Sequence, residues 1–525
     1  MKAKTTILSS EEEHITLCFL SPFSIETTFV RGRWSGGEKV SSSFCFFAFC
    51  FDFYGKTLYN VCVLFCLFFG DVEISGGCGS EIVENSGFSI ALRYIKVIIC
   101  LEENVGKFII EQSAPLHGEV EISGAKNAVL PIMAATILAE DTYEINDAPQ
   151  LRDVDVMCRL LRQMGAEVEE DYAQNKINIK MGPITAEEVP YDLVKRMRAS
   201  FFVLGPLLAK TGHAKIALPG GCTIGDRPVE LHLKGLRILG AQINDAHGYV
   251  EATCDCLKGG KVYLDFPSVG ATENIMMAAT LAEGVTIIEN AAQEPEIVDL
   301  ANFLNKMGAK IKGAGTDTIK VEGVEVLHGC RHTVIPDRIE TGTFMVAAAI
   351  SRGDILIKNA VSDHVKPVIA KLIECGVSIE ETDEGMRVRG DVNPLIATDI
   401  KPLPDPGFPT DMQAQFLALL TTVEGPSVVI ENVFENRFMH VGELNRMGAN
   451  IKIDGKSSMI PGGKELYGAE VICTDLRGGA AVVLAGLVAE GTTEVSEIYH
   501  VDRGYEKFVE KLTGLGAKIS RIDEE

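Results

Sequence analysis

The sequence predicts an α/β fold of six copies of one strand–helix–strand–strand unit, helices inward and sheets outward, divided three plus three around two cores with a cleft between them. Three observations predict it. A small acidic-or-Gly turn, a β-branched run, a polar loop and a helical stretch ending in Gly-Ala or Gly-Val recur six times. The closing glycines are Gly165, Gly240, Gly308, Gly376, Gly448 and Gly516, 68 to 75 residues apart, and a steady period of this kind means one supersecondary unit copied and stacked. Between the copies lie segments apolar on every side (AAATLA, TFMVAAAI, AVVLAGLV), which only a buried helix tolerates.

Taken in order, residues 1–106 stand apart. They hold 13 of the 24 Phe, 7 of the 14 Cys and the single Trp34, and show no copy of the repeat. The stretch Phe44–Gly70 is apolar but interrupted by Asp52, Lys56 and Asn60. Its longest clean run, Val61–Phe69, is half of the ~20 residues a membrane span needs. No convincing presequence precedes it. We expect a disordered or artefactual, dispensable extension and no membrane span. Copies of the repeat then run over 138–168, 211–243, 281–311, 351–379, 423–451 and 489–519. The third shows the plan. VTIIENA alternates apolar and polar residues over a strand's length. Ile297, Leu300, Ala301, Leu304 and Met307 follow at helical spacing with Gly308 as the stop. AKIKGAGTDTIKVEG then reads as two short strands across a Gly turn.

Composition excludes several functions. At 525 residues and 46% hydrophobic the chain can bury large cores. Its 49 Lys+Arg against 73 Asp+Glu give a net charge of −24, which argues against nucleic acid, since a duplex binder needs a basic face to displace counterions. An anionic substrate would need a locally basic cleft. The seven cysteines beyond the extension lack metal-ligand spacing, so no metal is expected and a reducing cytoplasm fits. Cys158 and Cys375 read as buried, inert thiols. No phosphate loop GxxxxGK[ST], no GxGxxG after a strand and no HExxH occurs, so side chains would have to hold any phosphate.

Chemistry is concentrated where loops break the repeat. The stretch 218–232, LPGGCTIGDRPVELH, carries Gly220, Gly221 and Gly225 around Cys222, with Arg227 nearby. Glycines free the backbone for motion, and an adjacent cation lowers a thiol's pKa; the alternative is a glycine-rich turn with an incidental Cys. Lys126, Arg198, Arg227, Arg338, Arg437, Arg477 and Arg503 sit in loops at comparable positions and are candidates for the basic cleft. Against this, Arg338 and Arg477 can simply brace loops through their neighbours Asp337 and Asp475.

From about Lys107 onward the chain closely resembles the UDP-N-acetylglucosamine enolpyruvyltransferases. The resemblance rests on SGAKNAVLPI, MRASFFVLGPLLA, LPGGCTIGDRP, SVGATENIMMAATLAEG, PDRIETGTFMVAAAIS, FPTDMQAQ, VFENRFMH, CTDLR and HVDRGYE, all in order. The wording FPSVGATENIMMAA is similar to the low-GC Gram-positive branch. The resemblance implies two inside-out α/β domains of three units each, one over 126–335 and the other over 107–125 with 336–525. It implies transfer of the enolpyruvyl group of phosphoenolpyruvate to the 3′-hydroxyl of UDP-N-acetylglucosamine, with release of phosphate, in the cytoplasm and without a cofactor. Addition then elimination through a tetrahedral intermediate is the family's route, in the first committed step of peptidoglycan synthesis.

Carried over residue by residue, the resemblance makes Cys222 the proton donor and the target of fosfomycin. Asp411 becomes the base for the sugar hydroxyl, and Lys126 with Asn127 the phosphoenolpyruvate-binding pair. Arg227 and Arg503 grip the same substrate. Arg198, the run Arg227, Pro228, Val229, Glu230 and Leu231, then Ser268, Val269, Asp411 and Val433 contact the nucleotide sugar, with Phe434 beside the last. Phe266 departs from the family, some of whose members have a basic residue there. The rivals are the shikimate-pathway enolpyruvyltransferase, which lacks the Cys loop, a non-catalytic nucleotide-sugar binder, and a repeat scaffold that binds a protein.

Overall fold

The computed structural model describes residues 106–523 except 190, 192–193, 195–196, 219–228 and 247, together with five strands within residues 1–105. The chain divides into two compact units, Met1–Glu103 and Asn104–Glu525. In the first, where the sequence reading expects disorder or an artefact, strands Ile7–Ser10, Glu13–Leu20, Ile25–Gly32, Ser43–Phe51 and Val63–Phe69 pair in that order as an antiparallel sheet. Aromatic and β-branched runs such as FCFFAFCF prefer extended backbone. The rest of that segment lies outside the described residues.

The second unit holds the repeat. Six inner helices, Lys126–Ala135, Leu204–Thr211, Val269–Ala279, Arg338–Ile350, Gln413–Thr422 and Leu476–Val488, are largely buried. Their small residues let them approach closely. A Cβ at Gly205 would lie 2.3 Å from the Asn274 carbonyl oxygen on the neighbouring inner helix. Six outer helices, Arg152–Gln163, Glu230–Ile238, Pro295–Lys306, Lys366–Glu374, Val441–Arg446 and Phe508–Gly514, each lead to a closing glycine. Those six glycines have φ between 93° and 107°, a left-handed conformation that a side chain resists. In five of the six units the residue after the glycine donates to a carbonyl five residues back, as Ala309 does to Leu304 at 3.0 Å and Val377 to Leu372 at 2.9 Å. The repeat marker seen in the sequence is thus a helix terminator.

The strand–helix–strand–strand unit is present, and the structure adds a short parallel strand and the inner helix before it. In the third unit Lys261–Tyr263 runs parallel to Val285–Glu289. That strand pairs antiparallel with Thr318–Glu322, which pairs with Lys310–Lys312. Three sheets borrow strands from afar, the fourth unit's taking His117–Glu121 parallel to Asp354–Lys358. Arg331–Thr333 completes the first unit's sheet beside Thr142–Asn146, and Lys107–Glu111 lies between Thr492–Ser496 and Lys518–Ile522 in the last.

Buried apolar side chains form two clusters, one from Ala125 to Val334, the other from Phe108–Ile122 with Ile339–Ile519. The chain passes between them twice, and the two crossings pair with each other. Ala125 N donates to the Ile335 carbonyl at 2.7 Å and Asp337 N to that of Ser123 at 2.9 Å. Lys511 Nζ binds both Ser123 Oγ and Glu340 Oε1 at 2.6 Å, and Glu340 Oε2 accepts the Ser123 N–H at 2.8 Å. A buried acid group lies beside this crossing. Glu296 accepts Arg338 Nε at 2.9 and 3.1 Å. Both Glu273 carboxylate oxygens and Glu294 Oε2 have no hydrogen-bond partner among the described residues. Burial pushes Glu294 up to about 7, with the neighbouring Arg338 pulling the other way.

A carboxyl that holds its proton more tightly when folded favours folding in acid. Glu294 therefore costs stability as pH rises from 4.5 towards 7, and the cost levels off above. We expect Glu294→Gln to stabilise the protein at pH 8 by up to about 3 kcal/mol, and to gain nothing at pH 4.5. Urea denaturation at the two pH values measures this, and an equal gain at both would refute the titration.

Candidate active site

Lys126 is the first residue of an inner helix, set immediately after a crossing. Its backbone N–H donates to Asp337 Oδ2 at 3.3 Å, and its ammonium, 8% exposed, lies 2.7 Å from Asp153 Oδ2. Asp153 is in the first turn of the helix Arg152–Gln163 and is 3% exposed. From the far end of the sequence Arg503 reaches the same carboxylate, Nε to Oδ1 at 2.9 Å and Nη2 to Oδ2 at 3.3 Å. Burial lowers the Lys126 pKa against the pull of Asp153, and the charges of Arg503 and Arg477 lower it further. At Asp153 burial acts upward, but Lys126 and Arg503 together outweigh it and hold the carboxyl below its usual range. The Asp153 carboxyl is thus held in its charged form, with Lys126 and Arg503 both upon it.

Asp411 organises the adjoining half. It lies in the short turn Thr410–Met412 with its side chain one-quarter exposed. Arg437 Nη2 donates to Oδ1 at 2.7 Å, and Arg477 Nε and Nη2 donate to Oδ2 at 3.2 and 3.1 Å. Both guanidiniums are 3% exposed, and Arg437 Nε and Arg477 Nη1 have no hydrogen-bond partner among the described residues. Bracing of Arg338 and Arg477 by adjacent aspartates, allowed by the sequence, is not what forms. Asp337 and Asp475 are spent as helix N-caps, accepting Ile339 and Glu340, and Arg477 and Gly478, at 2.8 to 3.1 Å. The arginines are left for Glu296 and Asp411. His440, buried between Asp475 and Arg437, is pushed down to about 4 by burial and stays neutral.

Val433 and Phe434 are brought to this half by Glu431. Its Oε1 accepts their N–H groups at 2.7 and 3.2 Å, and its Oε2 accepts Thr410 Oγ1 at 2.8 Å, next to Asp411. The Arg437 guanidinium lies 5.4 Å from the Phe434 ring centre. On the first core the remaining residues gather near His232, at the start of the outer helix Glu230–Ile238. Ser268 caps the helix that Val269 begins, accepting Ala271 N–H at 3.4 Å. Val229 is buried, Leu231 half-buried and Glu230 exposed at the start of the following outer helix. Arg198 lies near His232, which burial first and that charge second push down to about 3. His232 Nδ1 is 3.2 Å from Asn274 Nδ2, so the neutral ring accepts there. Asn127 is half-buried beside Lys126.

The structure thus brings Lys126, Arg503 and, through electrostatics, Arg477 with Asp411 into one charged centre. Cys222, Arg227 and Pro228 lie outside the described residues. Sequence reasoning missed Asp153 and Glu431. Asp153 stands in RDVD at a helix start, where an acidic residue is expected for the helix dipole alone. Its role as a shared counter-ion depends on a partner 350 residues away. Arg437 and Arg477 were legible only as members of a set of loop cations. Among the described residues no group of His, Cys, Asp and Glu is arranged to hold a metal, and no helix is long and apolar enough to cross a membrane. Cys158 and Cys375 are buried, and burial pushes the Cys375 thiol up to about 12.

The family described as EPSP synthase (3-phosphoshikimate 1-carboxyvinyltransferase) matches residues 110–512. The chain is 64% identical over 415 residues to UDP-N-acetylglucosamine 1-carboxyvinyltransferase 1 of Caldanaerobacter subterraneus subsp. tengcongensis, covering 79% of this chain and 99% of the relative. It is 59% identical over 422 residues to UDP-N-acetylglucosamine 1-carboxyvinyltransferase 2 of Carboxydothermus hydrogenoformans, covering 80% of this chain and all of the relative. Among solved structures, the enolpyruvyl transferase NikO from Streptomyces tendae superposes with a TM-score of 0.73 at 25% identity, over 80% of this chain and 100% of that one. EPSP synthase from Acinetobacter baumannii shares the fold, with a TM-score of 0.64 at 20% identity over the same shares.

Proposed function

The chain belongs to the EPSP synthase family and, within it, to the UDP-N-acetylglucosamine 1-carboxyvinyltransferases, and from this we propose that its charged centre carries out enolpyruvyl transfer from phosphoenolpyruvate to UDP-N-acetylglucosamine. The product feeds peptidoglycan synthesis, and we place the reaction in the cytoplasm. The observation that carries the assignment of the site is the gathering of Lys126, Arg503, Arg477 and Arg437, tied together through the carboxylates of Asp153 and Asp411. A cluster of cations at a largely buried centre in a chain of net charge −24 suits the approach of two polyanions, because charge-assisted contacts are stronger than neutral ones.

In this reading Lys126, Asn127, Arg227 and Arg503 hold phosphoenolpyruvate, and Arg198, 227–231, Ser268, Val269, Val433 and Phe434 hold the nucleotide sugar. Asp411 takes the proton of the sugar 3′-hydroxyl, which then attacks C2 of phosphoenolpyruvate as C3 accepts a proton from Cys222. The two cations on Asp411 favour its charged form, which a base requires. Loss of the C3 proton and of phosphate from the tetrahedral adduct restores the double bond. Water has to be kept from the intermediate, and the glycine-rich stretch of sequence 218–232, most of which lies outside the described residues, is the part we assign to that task. We read the two hydrophobic clusters as the two domains, 126–335 and 107–125 with 336–525.

The test is phosphate release from phosphoenolpyruvate, for the full chain and for a chain beginning at Lys107. Release in both that depends on UDP-N-acetylglucosamine, with none on shikimate 3-phosphate, is the expected result. Release with shikimate 3-phosphate alone would transfer the assignment to the rival acceptor. Cys222→Ser should lose most turnover, whereas Cys222→Asp should stay active and resist fosfomycin.

A further inference from the structure

We infer that Tyr505 is a positioning residue for the transfer, holding Arg477 in the register in which it grips Asp411. This rests on the reading of Asp411 as the base. Tyr505 is 3% exposed, between the helices Tyr499–Asp502 and Phe508–Gly514, and its ring centre lies 5.3 Å from Arg477 Cζ. The ring also packs on Phe508, 4.8 Å between centres.

The hydroxyl is fixed by a closed set of hydrogen bonds. Thr343 Oγ1 donates its only proton to the Ile339 carbonyl at 2.7 Å. At 3.0 Å from Tyr505 Oη it must therefore accept, so the phenol donates to it. Gln415 Nε2 donates to Thr343 Oγ1 at 3.1 Å and to Tyr505 Oη at 3.2 Å, using both of its hydrogens. Thr343 and Gln415 stand on two different inner helices. The phenol is thereby anchored to the core of the second cluster, and a rigid aromatic face with a remaining oxygen lone pair is presented to Arg477. Burial keeps the phenol above its usual pKa against the pull of Arg477, so it stays neutral and keeps the proton it donates.

The same short segment reaches the first core as well. Arg503 grips Asp153, and Glu506 Oε1 accepts the Gln150 N–H at 3.2 Å. Residues 503–506 thus touch both halves of the charged centre, and Tyr505 is the member that reaches Arg477. An arginine held at one end by Asp411 and supported across its face has little freedom to swing. Loosening it would move the base rather than remove it, and misplacement of about 1 Å costs up to about 10²-fold in rate.

Tyr505→Phe keeps the ring and deletes only the hydroxyl. The expected result is a fall in kcat of about 10- to 100-fold, with the dissociation constant for UDP-N-acetylglucosamine from calorimetry within about two-fold of wild type. A purely structural role would lower thermal stability without this separation of kcat from binding. The decisive arm is a double-mutant cycle with Arg477→Lys. If Tyr505 acts through Arg477, adding Tyr505→Phe to Arg477→Lys costs little more, and independent, multiplying losses overturn the proposal. Should Tyr505→Phe fail to fold, Thr343→Val, which removes the acceptor of the phenol and of one Gln415 hydrogen, carries the same test with the same two outcomes. A wild-type rate in Tyr505→Phe beside an active wild type overturns the positioning role alone. A wild type that releases no phosphate in the presence of both substrates overturns the assignment of function, and this proposal with it.

Discussion

Asp411→Asn is expected to lower kcat by about 10³-fold, within the range a positioned proton-transfer group contributes. Asparagine matches the side chain in size and can still accept from one of the two arginines through its single oxygen, so the turn Thr410–Met412 should persist. It cannot take the hydroxyl proton. Single-turnover measurement at saturating substrates isolates the chemical step, and a loss smaller than about ten-fold there would show that the base lies elsewhere. The substitution also leaves two guanidiniums of 3% exposure facing an uncharged amide. The unliganded variant should therefore be less stable, and an anion such as phosphate should recover part of that loss.

Asp153→Asn has the second largest effect expected, and it acts on the other half of the centre. The substitution removes the shared counter-ion of Lys126 and Arg503 and leaves two cations side by side, one of them buried. Breaking a buried pair by removing one partner costs about 3–5 kcal/mol. The pull of Asp153 is what opposes the effect of burial on Lys126, so the lysine loses its proton more readily in the variant, and turnover falls with it. The pH dependence follows from the Asp153 carboxyl. Because its folded-state pKa lies below 3.8, its contribution is complete above that value and is lost as the pH falls through the depressed one. Thermal denaturation between pH 3 and 7 should show a steeper acid limb in wild type than in Asp153→Asn. Parallel curves would mean that the ion pair contributes nothing to folding. Inorganic phosphate should raise the melting temperature of the variant more than that of wild type, since it can stand in for the missing anion.

Much of this was legible in the chain. The six closing glycines announced the unit because a left-handed residue after a helix is a local requirement, visible without knowing any partner. The buried inner helices were legible from their lack of a polar face. The enolpyruvyltransferase fold expected from SGAKNAVLPI, FPTDMQAQ and the other motifs is the fold found. The short parallel strands, three residues long at Lys261–Tyr263 and Arg331–Thr333, were not legible, since so few residues carry no period. Nor could the sequence show that Lys107–Glu111 would enter the last sheet between two strands nearly 400 residues away.

The sequence by itself determined the elements, their order and the residue types placed at each loop, because propensity, periodicity and capping act over a few neighbours. Only the tertiary structure decided who pairs with whom. Asp337 and Asp475 turned from their adjacent arginines to cap helices, Asp153 became the counter-ion of two cations from opposite ends of the chain, and Arg477 came to lie between Asp411 and Tyr505. The physical reason is that a charge removed from water must find its partner within a few ångströms in space, and distance along the chain says little about which one it will be.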